Sequence, residues 1–362
     1  MIESTCLAAC CRSCWIWYLA GPCMVSKGDF FAYYERKEQL MPEKLVTSKV
    51  LILGLTGSGK GAVAFELAKK TNGQILSVDS MKVYRRMDIG TAKPSIHHRQ
   101  QVPYHMIDVV EPSEAFSVGR FVAQARGLID EVTGSGRPLI AVGGTALYIK
   151  ALLYGLFDGP PADPAIRDRL RQRITVDGLD AIYAELARID PDAAARIHRT
   201  DQKRIIRAIE VYMLTGRPIS SFQKQFSGQP DLGGWTIVGL RRDKADQAHR
   251  INARVARMID QGLVQEVQGL LAEPKGLSPQ ARAAIGYAEV IDYLNGRIDL
   301  DKAIELIKRR TRRLAKAQRT WFRGFRFVHW LDLEPDEPPD LTAKRVMRIL
   351  DQPQDTASGG NR

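Results

Sequence analysis

The run Val50-Leu51-Ile52-Leu53 is fully apolar, and Gly54-Leu55-Thr56-Gly57-Ser58-Gly59-Lys60-Gly61 follows it directly, ahead of a helical pattern over residues 62–70. Strand, glycine loop and helix make the arrangement of a phosphate-binding loop. The glycines let successive backbone N–H groups turn inward, the helix N-terminus adds partial positive charge, and Lys60 reaches the terminal phosphates. Such a loop needs a buried strand behind it, which commits the chain to an α/β core. One residue departs from the motif: the hydroxyl residue that binds magnesium after the lysine is Gly61 here. Phosphate binding survives that change. The metal contact either passes to Thr56 or Ser58, or is left to the phosphates and water.

The rest of the core repeats the rhythm. Ile75-Leu76-Ser77-Val78 ends at Asp79-Ser80, and the carboxyl ends of parallel strands open on the ligand crevice. Asp79 is therefore a candidate magnesium ligand or general base, with a turn-capping carboxylate as the plain alternative. Residues 138–142 form another apolar strand that runs into Gly143-Gly144-Thr145 and a helix over 146–153. The two glycines allow close approach of a ligand, and Thr145 offers a hydroxyl at the same rim unless it merely caps the helix. The loop 88–94, with Lys93, is expected to line that crevice, and 104–109 supplies a further strand. The expected fold class is α/β, a doubly wound parallel sheet like that of the P-loop NTPases.

After Gly155 the pattern breaks at Pro160-Pro161, and 165–226 reads as helices carrying many arginines before strand character returns at 235–240. The expected organisation is an extension over 1–46, a core over 47–157, an inserted helical domain over 158–234, the rest of the core over 235–333, and a flexible tail over 334–362. Lysine and arginine number 53 against 41 acids, a formal charge of +12, so where the excess sits matters. Residues 308–326 hold nine Lys/Arg and no acid. On a helix spanning 304–326, Arg309, Arg312, Arg313, Lys316, Arg319 and Arg323 share one face, opposite a packed face of Ile304, Ile307, Leu314 and Trp321. A polyphosphate is expected opposite that charge, with a nucleic-acid backbone as the natural candidate. All five cysteines lie between Cys6 and Cys23. A body without cysteine fits a reducing cytosol, and the extension reads as an unstructured or misassigned leader, too short in its apolar part for a membrane span.

Several further motifs, in order, resemble those of the tRNA dimethylallyltransferases (tRNA isopentenyltransferases). They are Asp79-Ser80-Met81-Lys82-Val83-Tyr84, Asp88-Ile89-Gly90-Thr91-Ala92-Lys93-Pro94, Gly143-Gly144-Thr145-Ala146-Leu147-Tyr148, Asp163-Pro164-Ala165-Ile166-Arg167, Arg204-Ile205-Ile206-Arg207, Ile285-Gly286-Tyr287-Ala288-Glu289 and Thr311-Arg312-Arg313-Leu314-Ala315-Lys316. The resemblance implies transfer of a dimethylallyl group from dimethylallyl diphosphate to N6 of adenosine 37, in the anticodon stem-loop of tRNAs that read codons beginning with U. In that reading Asp79 is the general base and Thr145 assists at the amine or the diphosphate bridge. Gly54 to Gly61 with Lys60 hold the diphosphate in place of ATP, helped by Arg313 or Arg319. The residues facing tRNA are Asp79, Ser80, Met81, Lys82, Thr145, Arg167, Lys203, Arg204, Arg207, Gly286, Tyr287, Lys316 and Arg323. Mg2+ is the implied cofactor, with no residue assigned as its ligand. The implied protein is a cytoplasmic monomer without membrane contact.

Four positions depart from the family pattern: Leu55 for proline, Gly61 for Ser/Thr, Lys82 for a glutamine that contacts the target base, and Ala317 for arginine. Lys82 cannot accept a hydrogen bond as a glutamine amide does. The rival readings are a phosphate-loop kinase of a small metabolite, an isopentenyltransferase of free adenine nucleotides, and a tRNA-binding homologue with impaired catalysis. Gly61 opposes the first, and the nine-charge helix opposes the second.

Overall fold

The computed structural model describes residues 49–156, 159–222, 232–325 and 327–352. The cysteine-bearing extension and the last ten residues lie outside them. Six strands form one parallel sheet: β1 (Lys49–Gly54), β2 (Gln74–Val78), β3 (Tyr104–His105), β4 (Leu139–Gly143), β5 (Trp235–Arg241) and β6 (Val328–Asp332), in the order β3-β2-β4-β1-β5-β6. The chain runs outward from β1 and then returns to lay β4 between β2 and β1. The carboxyl end of β1 is thus the switch point where a crevice opens. Val50, Leu51, Ile52 and Leu53 are all fully buried, as a central parallel strand covered on both faces requires.

Helix α1 (Lys60–Thr71) follows the glycine loop, and α2 (Ile96–Gln101), α3 (Val118–Gly134) and α4 (Ala146–Tyr154) complete the first half of the core. Residues Leu51, Leu53, Leu76, Tyr84, Phe121 and Ile149 pack on one side of the sheet, and Val50, Ile52, Val63, Leu67 and Ile140 on the other. The expected strand over 104–109 is only two residues long, because Met106 and Asp108 adopt left-handed backbone angles that end the ladder.

The helical segment comprises α5 (Pro164–Asp177), α6 (Leu179–Ile189), α7 (Pro191–Arg196), α8 (Gln202–Thr215) and α9 (Ile219–Phe222). It has its own apolar cluster, including Leu170, Ile182, Leu186, Ile205 and Ile209. Beyond β5 come α10 (Lys244–Asp260), α11 (Leu263–Leu271), α12 (Pro279–Arg282), α13 (Tyr287–Leu294) and the basic helix α14 (Leu300–Phe322).

Two expectations need correction. The stretch from 334 is not all tail: α15 (Pro339–Asp351) packs on α1 and buries Ala343, Val346 and Leu350 in the core. On α14 the buried face is Ala303, Ile307, Ala315, Gln318 and Phe322, whereas Leu314 and Trp321 are each 41% exposed. Their apolar surface belongs to a cavity wall.

Gly143 is needed by the sheet itself. A Cβ there would lie 2.1 Å from the carbonyl oxygen of Val78, its register partner on β2. Gly143→Ala is therefore expected to force β2 and β4 apart and cost roughly 2–3 kcal/mol, the upper part of the range for overpacked sites. A urea midpoint unchanged from wild type would show that the sheet relaxes without cost.

Candidate functional site

A cavity of about 1010 Å³ opens at the carboxyl ends of β1, β2 and β4, roomy enough for a small diphosphate together with part of a larger substrate. Thr56, Gly57, Gly59, Lys60, Gly61, Asp79, Ser80, Met81, Lys82, Thr145, Lys203, Gly286 and Tyr287 all line it.

The loop takes its shape from Gly57 and Gly59, with φ of 85° and 90°. No side chain caps the N-terminus of α1 in the usual way; the Ala62 and Val63 amides donate to the Gly59 carbonyl, and the Gly61 amide is left without an acceptor among the described residues. Lys60 Nζ donates to the Leu55 carbonyl at 3.2 Å. Ser58 is buried, and its hydroxyl accepts from the Lys60 amide at 3.4 Å. The loop is gripped from outside by two glutamines. Gln318 accepts from the Thr56 amide at 2.8 Å and donates to the Gly144 carbonyl at 2.7 Å. Gln247 donates to the Thr56 carbonyl at 3.0 Å and accepts from Arg319 at 3.0 Å. Gly144 is required for this grip, since a Cβ there would meet Gln318 at 2.6 Å.

Asp79 sits at the end of β2. Its Oδ1 accepts from the amides of Met81 at 2.9 Å and Lys82 at 3.3 Å, which fixes the carboxylate and leaves Oδ2 without a donor among the described residues. The turn-capping reading is met by Oδ1. Thr145 does not cap α4 with its side chain. Its hydroxyl accepts from the Ser80 amide at 3.2 Å, which ties the rim of β4 to that of β2 and leaves its proton free.

The cations around Asp79 shape the site's electrostatics. Burial and then the neighbouring charges of Lys82 and Arg254 push Lys60 down to about 7, with Asp79 opposing. Burial lowers Lys82 and Arg254 as well. Arg254 lies 3.5 Å from the Thr56 hydroxyl. It is a member of the site that sequence reasoning missed, with Arg250 and Arg257, which also line the cavity. The signal was present: these three follow at four- and three-residue steps on α10 and so share one face.

An anion entering this cluster relieves the repulsion that lowers Lys60. Binding of inorganic diphosphate at pH 8 is expected to take up protons, and affinity is expected to fall as pH rises above about 7, where free Lys60 loses its proton. Calorimetry in buffers of different ionisation heat measures this directly. Proton release beyond what diphosphate itself sheds would contradict the assignment.

Other expected site residues stand elsewhere. Arg313 and Lys316 on α14, and Arg323 at its C-cap, are exposed without an acidic partner among the described residues, and neither they nor Arg319 line the cavity. Arg167 and Arg207 both pair with the buried Glu210, at 2.8 and 2.7 Å, and Arg204 pairs with Asp201 at 3.4 Å. Tyr287 is buried, with its hydroxyl 2.5 Å from Glu266. Glu266 in turn accepts from the amides of Asp88, Ile89 and Gly90, clamping that loop onto α11. Lys93 turns away from the cavity and binds Asp88 and Asp108, each at 2.6 Å. Leu147, Leu314, Ala317 and Trp321 give the cavity an apolar wall.

The donor set does not fit a protein-held Mg2+. Gly61 offers no hydroxyl, Asp79 Oδ1 is occupied, and the groups facing Asp79 are cations. Among the described residues no cluster of three or more His, Cys, Asp or Glu could hold an ion. Nor is any described helix long and apolar enough to cross a membrane.

Residues 82–325 match a family model described as IPP transferase. The tRNA dimethylallyltransferase 2 of Geotalea uraniireducens is 44% identical over 285 residues, covering 78% of this chain and 91% of that protein. The tRNA dimethylallyltransferase of Geobacillus thermodenitrificans is 43% identical over 312 residues, covering 86% and 97%. Among solved structures, the tRNA isopentenylpyrophosphate transferase of Bacillus halodurans superposes with a TM-score of 0.59 at 38% identity, over 84% of this chain and 96% of that one. A eukaryotic dimethylallyltransferase acting on tRNA superposes with a TM-score of 0.69 at 27% identity, over 84% and 78%.

Proposed function

The chain belongs to the IPP transferase family, the tRNA dimethylallyltransferases, and from that membership we propose that it transfers the dimethylallyl group of dimethylallyl diphosphate to N6 of adenosine 37 in tRNAs reading codons that begin with U. The observation that carries the reading is the convergence of Lys60, Asp79 and Thr145 on one cavity whose phosphate loop lacks the metal-binding hydroxyl of a kinase.

The chemistry follows from these groups. The diphosphate lies against the open N-terminus of α1, with Lys60 and Arg254 opposing its charge. Arg319 acts on the loop through Gln247 and not on the leaving group directly. N6 of the adenine attacks the allylic carbon as the carbon–oxygen bond breaks, and the electron pair stays on the diphosphate. Asp79 Oδ2 receives the proton that N6 sheds, while the Thr145 hydroxyl donates to the bridging oxygen. Adenosine 37 must leave its stack to reach Asp79, at a cost of a few kcal/mol. Exposed Arg313, Lys316 and Arg323, with Lys203 at the rim of the cavity, meet the tRNA backbone and offset that cost. Arg167 and Arg207 support this surface from within through Glu210. Mg2+ belongs to this reading only as a counter-ion that accompanies the substrates. A cytoplasmic location is part of the same proposal.

The test is to offer labelled dimethylallyl diphosphate to unmodified tRNA and, separately, to AMP and ATP. Label in tRNA alone is expected. Label in AMP or ATP would move the reading to the free-nucleotide isopentenyltransferases.

A further inference from the structure

We propose that the Lys82 ammonium supplies, from the protein itself, the charge that a loop-held magnesium ion would otherwise bring to the diphosphate, so that diphosphate binding needs no divalent cation. The inference rests on the reading above that the leaving group is a diphosphate.

Position comes first. Lys82 follows the Asp79 turn, which holds its amide at 3.3 Å, and it lines the same cavity as Lys60 and Thr145. Its side chain has no hydrogen bond or ion pair among the described residues. Lys93, in the neighbouring loop, is by contrast fully engaged by two carboxylates. Only the Asp79 carboxylate opposes its charge, while burial and the charges of Arg254 and Lys93 work against it, so an anion entering the cavity completes its surroundings.

Second, Lys82 and Lys60 act on the same space. After burial, Lys82 is the strongest influence on the Lys60 ammonium, ahead of Arg254. A diphosphate bound between them removes the repulsion and fixes both as cations. As N6 attacks and the carbon–oxygen bond breaks, the charge left on the diphosphate oxygens meets Lys60, Lys82 and Arg254 together. The proton from N6 goes to Asp79, and Lys82 takes no part in that transfer.

Third, the two departures complement each other. A Cβ at Gly61 would meet nothing within 4 Å, so a hydroxyl residue would fit there, yet the chain has none. One change takes away a metal ligand, and the other adds an amine that a bound anion holds as a cation in the same cavity. On this account Lys82 serves the diphosphate and not the target base.

Titration calorimetry of the full chain with inorganic diphosphate tests this, in EDTA and in Mg2+. Wild-type affinity is expected to agree within about threefold between the two, and Lys82→Gln to lose about tenfold or more in EDTA. Adding Gly61→Ser to Lys82→Gln is expected to recover binding in Mg2+ alone, with thermal melts confirming that each variant folds. Wild-type binding that drops tenfold in EDTA, or Lys82→Gln binding like wild type there, would overturn the proposal. The same preparations are assayed for label transfer to tRNA in Mg2+. Transfer together with EDTA-sensitive diphosphate binding refutes the role of Lys82 alone, whereas absence of transfer refutes the functional reading.

Discussion

Asp79→Ala is expected to lower the rate of dimethylallyl transfer by about 10²–10⁴, the range for loss of a positioned general base, while tRNA is still retained on a filter. The exocyclic amine is conjugated and weakly nucleophilic, so its proton must leave as the new bond forms, and Asp79 Oδ2 is the acceptor left without a donor at the end of β2. Alanine also removes the anion that opposes the crowding of Lys60, Lys82 and Arg254. Asp79→Asn separates the two effects. Its amide oxygen can still accept from the Met81 and Lys82 amides, so the turn persists without the base. Single-turnover rates measure both variants, and an asparagine variant within threefold of wild type would remove Asp79 from the chemistry.

A large effect on stability is also expected at Lys93. Its side chain is 1% exposed and is held by Asp88, Asp108 and the Tyr84 carbonyl. Lys93→Met leaves those acceptors facing an apolar group, but Asp88 is 50% and Asp108 31% exposed to water, so the loss is expected at roughly 1–3 kcal/mol. Arg99, 2.5 Å from Asp108, keeps the loss toward the lower figure. The pH profile gives a second readout. Burial pushes the Asp108 carboxyl up, but the hydrogen bonds and charges of Lys93 and Arg99 hold it below its usual value. Its contribution is therefore present above the unfolded carboxylate value and is lost as pH falls through the lower folded value. In Lys93→Met that acid-side loss shrinks. Equilibrium urea unfolding measures both, and a destabilisation below 1 kcal/mol would show that the cluster is not holding the loop.

What could be read from the sequence were the features carried by adjacent residues. The glycine loop, Asp79 at a strand end, and Thr145 after two glycines each need only a local pattern, and the structure brings all three to one cavity. Features made across the chain were not legible. Gln318 meets Thr56 from 262 positions away with no local spacing to announce it, and Arg254, 198 positions away, shares a basic face with Arg250 and Arg257 but nothing local says that this face meets the glycine loop. Gly143 shows a different failure. A glycine beside a ligand and a glycine beside a neighbouring strand look alike until the Val78 carbonyl is seen against it. Helix periodicity could not separate core from cavity on α14, because Leu314 and Trp321 are as apolar as Ile307 while facing the open site. In α15, proline and acidic residues concealed a helix that Pro339 starts.

The measurement that tests the central claim most directly is nucleoside analysis of tRNA after incubation with the full chain and dimethylallyl diphosphate. The account predicts a five-carbon group on N6 of adenosine 37, formed with release of one diphosphate and absent with Asp79→Asn. Intact, unmodified adenosine 37 in tRNA that the protein nevertheless binds would contradict it, and would leave a tRNA-binding homologue without transferase chemistry.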